Sequence, residues 1–366
     1  MKLDRSPAWA QWSAYALVRS ILSVPLIAGT GPSVRAADGI GSWFANASFN
    51  RKRFDRAVRH AEIAFPGEPR EFYESCATGA YRHLLRTAVE TSFAPRRFTA
   101  DGWAQHIDIG EVGPLLGLLH ERKPLLMITG HCGNWEILGG TMALLGYPMH
   151  AVYRPLDLKP LDQWLRRTRA AQGLQLVSKF GALQTLPGCL ERGEPVGFVA
   201  DQNGGDRGIF TPFFGRLSSS YKAIALLALQ FDAHVAIGQA QRIPPKPTAT
   251  FSDTAVDEDM RFRIDVIDLF GPEDYRPMPD PAFYITARYR KAIEDMVKRR
   301  PRDYLWMHRS WKSRPPHERH NKPFPEKLRD KLGSLPWLDG PQIEALIEQS
   351  DRDRALLAEL GVQKLP

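Results

Sequence analysis

Between residues 124 and 270, short apolar runs alternate with longer segments whose apolar residues recur at helical spacing. PLLMITG (124–130), HAVYR (150–154), LQLVS (174–178), PVGFVADQ (195–202), HVAIGQAQRI (234–243) and RFRIDVIDLF (261–270) read as strands. WEILGGTMALLG (135–146), LDQWLRRTRAAQG (161–173), ALQTLPGCLERG (182–193) and SSYKAIALLALQFD (219–232) read as helices. Strand and helix in turn predict an α/β fold, with a mostly parallel central sheet flanked by helices. Such sheets deliver ligand-binding groups at the C-terminal ends of their strands. His131 follows the first run, Arg154 ends the second and Asp201 ends the fourth. Three polar groups are therefore expected on one edge.

The flanks read differently. Residues 50 to 94 predict two helices broken at Pro66-Gly67. Asp280-Pro281 has the form of a helix cap followed by proline at the first helical position, and that helix ends at Pro301. Past Pro315-Pro316 a charged link leads to a peripheral helix, PQIEALIEQSDRDRALLAEL. The expected division is a segment over 1–49, a main domain over 50–316, and a linker with a helix over 317–366. No run of 18 uncharged apolar residues occurs, which argues against a confident spanning helix. Residues 14 to 29 come nearest, but Arg19 and Pro25 interrupt them. With Trp9 and Trp12 ahead, residues 8 to 30 are expected to form a helical membrane-associating segment that lies at the interface. Asp4, Arg5 and Arg19 do not suit a cleaved secretory leader.

Charge and cysteine content narrow the classes. The formal charge is +8. The excess gathers at Arg51, Lys52, Arg53, Arg56 and Arg59, at Arg166, Arg167 and Arg169, and from Lys298 to Arg314. Basic faces of this kind suit an anionic membrane, an acidic carrier or nucleic acid, or are simply solvated. No nucleic-acid motif accompanies them, so nucleic acid is not expected as a partner. The three cysteines, Cys76, Cys132 and Cys189, make neither a disulfide framework nor a zinc-type pair.

One string concentrates chemistry. TGHCGNWE (129–136) places His131 at a strand end between glycines, with Glu136 five residues on. Gly130 and Gly133 permit a tight turn, and Asn134 is placed to cap the helix that begins at Trp135. On one continuous helix His131 and Glu136 would point about 140° apart. Across a strand–turn–helix corner they can meet as an acid–base pair, as half a metal site, or as a hydrogen-bonded corner of the core. A carboxylate on one imidazole nitrogen makes the other a better base. Cys132 beside it is a possible nucleophile, though a thiol there more often packs inward. The HExxH spacing is absent, and no second His or Cys pair suggests a metal.

Together GHCGNWE, YRPLD, ADQNGGDRGIFTPFFG and YLWMHRSWKSRP resemble the late acyltransferases of lipid A biosynthesis, in the lysophospholipid acyltransferase superfamily. The resemblance covers residues 50 to 315. It implies transfer of an acyl chain from a thioester, on acyl carrier protein or coenzyme A, to a hydroxyl of a membrane glycolipid. No bound cofactor and no metal are implied. His131 would be the general base and Glu136 its orienting carboxylate, with backbone amides of the glycine turn or Arg154 facing the oxyanion. Arg169, in an R-x3-G element, and Asp201 with Gln202 would be substrate-binding residues, as would Arg309 in the WMHR string. Phe210, Phe213 and Phe214 would line an acyl groove. The implied location is the cytoplasmic face of a bacterial inner membrane.

Three departures stand out. The N-terminal apolar segment is short and broken, DQNGG lacks a second acidic residue, and RLSSS replaces a small residue and threonine after PFFG. They bear on the acceptor and the chain length. The alternatives are acylation of another membrane lipid, such as a phosphatidylinositol mannoside or an aminolipid, a thioesterase, or a non-catalytic membrane-binding module.

Overall fold

The strand-forming runs meet in one seven-stranded sheet. The computed structural model describes residues 6–147, 149–171, 173–244 and 260–365. Four helices come first: α1 (Ala8–Ala28), α2 (Thr30–Asn46), α3 (Arg51–Ala64) and α4 (Arg70–Arg97). Then follow β1 (Ile107–Ile109), α5 (Gly113–His120), β2 (Leu125–Thr129), α6 (Trp135–Leu144), β3 (Met149–Tyr153), α7 (Lys159–Ala171), β4 (Leu174–Ser178), α8 (Ala182–Glu191) and β5 (Val196–Val199). After them come β6 (Ile209–Phe213), β7 (Arg216–Ser220), α9 (Lys222–Phe231), β8 (His234–Arg242), β9 (Phe262–Phe270), α10 (Pro272–Tyr275) and α11 (Pro281–Arg299). The chain closes with α12 (Pro316–Arg319), α13 (Glu326–Gly333) and α14 (Gly340–Leu360).

The strand order is β1-β9-β8-β2-β5-β3-β4. Five strands, β8, β2, β5, β3 and β4, run parallel, while β9 pairs antiparallel with β8 and carries β1 with it. The parallel sheet anticipated from the alternation is therefore present, with an antiparallel edge. Strand β2 is buried along its whole length. Its period of two sends Leu126 and Ile128 into the core under α8, α9 and α11, and Leu125 and Met127 into a smaller core under α5 and α6. Helix α11 starts as anticipated, with the Asp280 carboxylate accepting from the Phe283 amide at 2.9 Å and Pro281 in the first turn.

Strand β1 and helix α5 were not anticipated, and neither was a separate hairpin of β6 and β7. The helix expected from residue 219 starts at Lys222 instead, because residues 216 to 220 pair with 209 to 213. Phe214 (φ 51°) and Gly215 (φ 65°) turn the hairpin, the two left-handed positions of a type I′ turn.

Among the described residues no helix is long and apolar enough to cross a membrane. Helix α1 lies against α2, α4 and α7, and the Arg19 guanidinium stacks 4.2 Å over the Trp164 ring of α7. Its outer face leaves Trp9, Trp12, Leu17, Ile21, Val24 and Ile27 exposed.

The C-terminal helix is fastened through buried charge. Asp353 of α14 accepts from Arg216 (Nε, 2.7 Å) and from Arg314 (Nη2, 2.6 Å), and Arg314 also binds Glu318 at 2.6 Å. All four side chains are buried. Removing one partner of such a network strands the others without solvent and costs about 3–5 kcal/mol. Asp353→Ala is therefore expected to lower the melting temperature by several degrees in circular dichroism, with α14 becoming the first region to exchange amide hydrogens. An unchanged melt would show that apolar packing alone secures α14.

Candidate active site

Parallel pairing of β2 with β5 builds the site. Thr129 stands opposite Val199 in register, so the residues two further along, His131 and Asp201, emerge side by side. The His131 imidazole Nδ1 lies 2.6 Å from Asp201 Oδ1, and the His131 amide donates to Oδ2 at 3.0 Å. Asp201 is fully buried. Burial alone would raise its carboxyl, but the charge of His131 and these hydrogen bonds hold it well below the usual carboxylate range. With Nδ1 engaged, Nε2 is the nitrogen left to act.

The expected bond between Glu136 and His131 is not what the fold makes. Glu136 lies in the first turn of α6, and its Oε1 is 2.5 Å from Arg169 Nη2 on α7. The reason is geometric: the strand register brings Asp201 to the imidazole, while the first turn of α6 faces α7. The imidazole also has two aromatic neighbours, Trp135 at 4.8 Å and His308 at 4.6 Å between ring centres.

The glycine turn is held from behind. Asn134 caps α6, accepting from the amides of Glu136 and Ile137 at 3.2 Å, as its position suggested. Its amide nitrogen donates to buried Glu90 of α4 at 2.7 Å. Arg242 of β8 reaches the same carboxylate at 2.6 and 2.7 Å, and also Thr87 and His83. Arg290 of α11, fully buried, donates to the Asp201 carbonyl at 2.8 Å and to Ser218 at 3.0 Å. The amides of His131, Gly133 and Asn134 donate to Asp201, Asp303 and Ala240. Those three glycine-turn amides are thus committed to protein acceptors. Cys132 is buried, and burial, with Asp201 and Asp303 adding, pushes its thiol well up, which keeps it protonated rather than nucleophilic.

Beside His131 opens a cavity of about 360 Å³. Leu115, Leu138, Met142, Met149, Leu174 and Val266 are among its apolar walls, and His131, Glu136, Arg154, Arg169 and Gln202 also line it. Arg154 is exposed, and Asp157 lies 4.0 Å from its guanidinium. Of the residues singled out in the sequence, Arg309 and the three phenylalanines lie elsewhere. Arg309 is exposed, and its charge bears on Arg56. Phe213 and Phe214 are buried against Trp306 and Trp311 on the other face of the sheet. Phe210 is half-buried on the hairpin. The reason is the hairpin itself, whose tight turn tucks PFFG into the core. Among the described residues one trio of metal-type donors comes together, His150, Cys189 and Glu194, at the opposite end of the strands. His150 and Glu194 already pair at 2.8 Å, and Arg192 binds Glu194.

Glu90, Arg242 and Arg290 escaped the sequence reading because they lie on elements remote in sequence from the motif. A carboxylate amid the apolar face of α4 was the only local sign of Glu90. His308 stood in the quoted WMHR string beside Arg309, and it is His308 that the fold brings to the imidazole.

An imidazole backed by a buried carboxylate and opening on an apolar cavity, at the strand ends of an α/β sheet, has the form of an enzyme site. The chain belongs to the bacterial lipid A biosynthesis acyltransferase family, whose model matches residues 2–313, and it is an acyltransferase. It is 26% identical over 272 residues to the lipid A biosynthesis palmitoleoyltransferase of Escherichia coli (strain K12), covering 73% of this chain and 81% of that protein. A lipid A biosynthesis acyltransferase of Haemophilus influenzae is 24% identical over 314 residues, covering 84% and 91%. The lauroyltransferase of Escherichia coli is 21% identical over 317 residues, covering 84% and 92%.

Gly133 tests the turn. Its φ is +64°, and a methyl group there would overlap the Ala240 carbonyl oxygen. Gly133→Ala is expected to lower activity and melting temperature together, whereas Gly140→Ala, inside α6 where a methyl meets nothing, keeps activity and melts no lower than the native protein. Equal behaviour of the two variants in activity assay and thermal melt would refute the argument.

Proposed function

We propose that the protein transfers a fatty acyl chain from a thioester on acyl carrier protein to a hydroxyl of a lipid A precursor. The observation that carries this reading is the His131–Asp201 pair at an apolar cavity, in a chain of this family. His131 Nε2 takes the proton of the acceptor hydroxyl as its oxygen attacks the thioester carbonyl. The tetrahedral intermediate collapses, the C–S bond breaks, and the imidazolium returns the proton to the leaving thiolate. Ester and thiol are the products, and no covalent enzyme intermediate is required. Asp201 fixes the tautomer and supports the imidazolium. Glu136 serves the site through Arg169, holding its guanidinium where a phosphate or the developing oxyanion meets positive charge. Arg154 and Gln202 contact the substrate at the same cavity. The cavity receives the acyl chain.

The partners follow from the surface. An acidic carrier protein and an anionic bilayer both favour the positive face of this +8 chain, with attraction that weakens as salt rises. The exposed apolar face of α1 lies in the interface of the inner membrane, on its cytoplasmic side. Because α1 stacks on α7 through Arg19 and Trp164, this contact sets the helix that carries Arg169 close to the membrane.

Two measurements test these readings. Purified protein is given lauroyl-, myristoyl- and palmitoleoyl-acyl carrier protein with a tetra-acylated lipid A precursor, and the lipids are weighed by mass spectrometry. One added acyl chain is expected, and His131→Ala should lose about 10²–10⁴-fold in rate, the usual contribution of a general base. Thioester loss without acceptor would instead indicate a hydrolase, and activity undiminished in His131→Ala would sink the mechanism. Separately, replacing Trp12, Leu17, Ile21 and Val24 with serine is expected to release the protein from vesicles containing anionic lipid. Unchanged sedimentation with the vesicles would reject α1 as the anchor.

A further inference from the structure

His308 is the second imidazole of the site. Its ring centre lies 4.6 Å from that of His131, with 53° between the planes. Trp135 meets His131 at 4.8 Å and 66°. The base thus sits in contact with two aromatic rings. The segment that carries His308 is stitched to the His131 turn: the Leu305 amide donates to the His131 carbonyl at 3.2 Å, and the Gly133 amide to the Asp303 carbonyl at 3.2 Å. Cys132 and Tyr304 form an isolated antiparallel bridge between these two bonds. The His308 amide closes a turn onto the Leu305 carbonyl at 3.1 Å. These bonds fix the backbone that carries His308 beside the His131 turn.

The two rings have unlike surroundings. His131 has a buried carboxylate on Nδ1. The Nε2 atom of His308 is buried, with no hydrogen-bond partner among the described residues. Burial, and the neighbouring His131, push His308 down to about 4, against a smaller opposing pull from Asp201. Near neutral pH His308 is therefore an uncharged ring, and His131 is the ring that faces a carboxylate.

We propose that His308 is a positioning residue for acyl transfer: its ring packs on His131, holds the rotamer that keeps Nδ1 on Asp201, and presents aromatic surface to the imidazolium formed in the reaction. The inference rests on His131 being the base. A cation beside an aromatic face in a dry site corresponds to a rate effect of about 3–30-fold. The effect falls on kcat, because the imidazolium exists only after the proton has moved.

The test compares His308→Phe, which keeps an aromatic face, with His308→Leu, which keeps bulk without one. Both are made in the full chain and checked for folding by circular dichroism. They are assayed with lauroyl-acyl carrier protein and the tetra-acylated precursor, next to His131→Ala. The expected result is a kcat for His308→Phe within about threefold of the native protein and a fall of about 3–30-fold for His308→Leu, at nearly constant KM. The downfield proton resonance of the His131–Asp201 bond should persist in His308→Phe and broaden in His308→Leu. Native turnover by His308→Leu, an equal loss in both variants, or a loss confined to KM would overturn the inference. An active His131→Ala would remove the base reading and this inference with it. An inactive His131→Ala beside a fully active His308→Leu would remove this inference alone.

Discussion

Everything in the site depends on the register of one pair of parallel strands. Thr129 opposite Val199 means that His131 and Asp201, each two residues past the pairing, leave the sheet as neighbours. Neither residue is well suited to its place alone. A fully buried carboxylate is costly without a charge-assisted partner, and an imidazole at a turn samples rotamers and tautomers. Joined at 2.6 Å, each resolves the other's difficulty. A slip of one residue would send both side chains to the wrong faces of the sheet.

The rest of the molecule holds that register. Arg290 clamps the Asp201 carbonyl from below, and Glu90 with Arg242 clamps the Asn134 corner from behind. These are charges taken out of water at some cost to stability. They are tolerated because most of their donors and acceptors are engaged, Arg290 Nε being an exception, and what they supply is rigidity around His131. The segment from Asp303 to His308 closes the remaining side with backbone hydrogen bonds. Opposite this rigid wall the cavity is apolar and lined in part by Met142 and Met149, side chains that adapt to an alkyl chain.

Much of this was legible in the chain. Alternating apolar runs and helical segments predict the parallel sheet, and the runs match β2, β3, β4, β5, β8 and β9 to within a few residues. Asn134 and Asp280 were readable as caps because capping is local. The convergence of His131, Arg154 and Asp201 on one edge followed from strand direction. Two things were not legible. The hairpin of β6 and β7 was hidden because its strands are short and its second one, RLSSS, is polar yet buried. The partner of His131 was misjudged because Glu136 is near in sequence, whereas Asp201 is near only once β5 lies beside β2.

The sequence by itself therefore determined the fold class, the turn that bears His131, and the family. Those follow from local periodicity, glycine placement and short strings, which need no knowledge of what packs where. Tertiary structure alone decided which carboxylate the imidazole meets, that Glu136 belongs to Arg169, that the phenylalanines of PFFG are core, and that His308 rather than Arg309 reaches His131. Each of these is a contact between elements far apart in the chain. Strand order, register and helix placement set such contacts, and no local pattern encodes them.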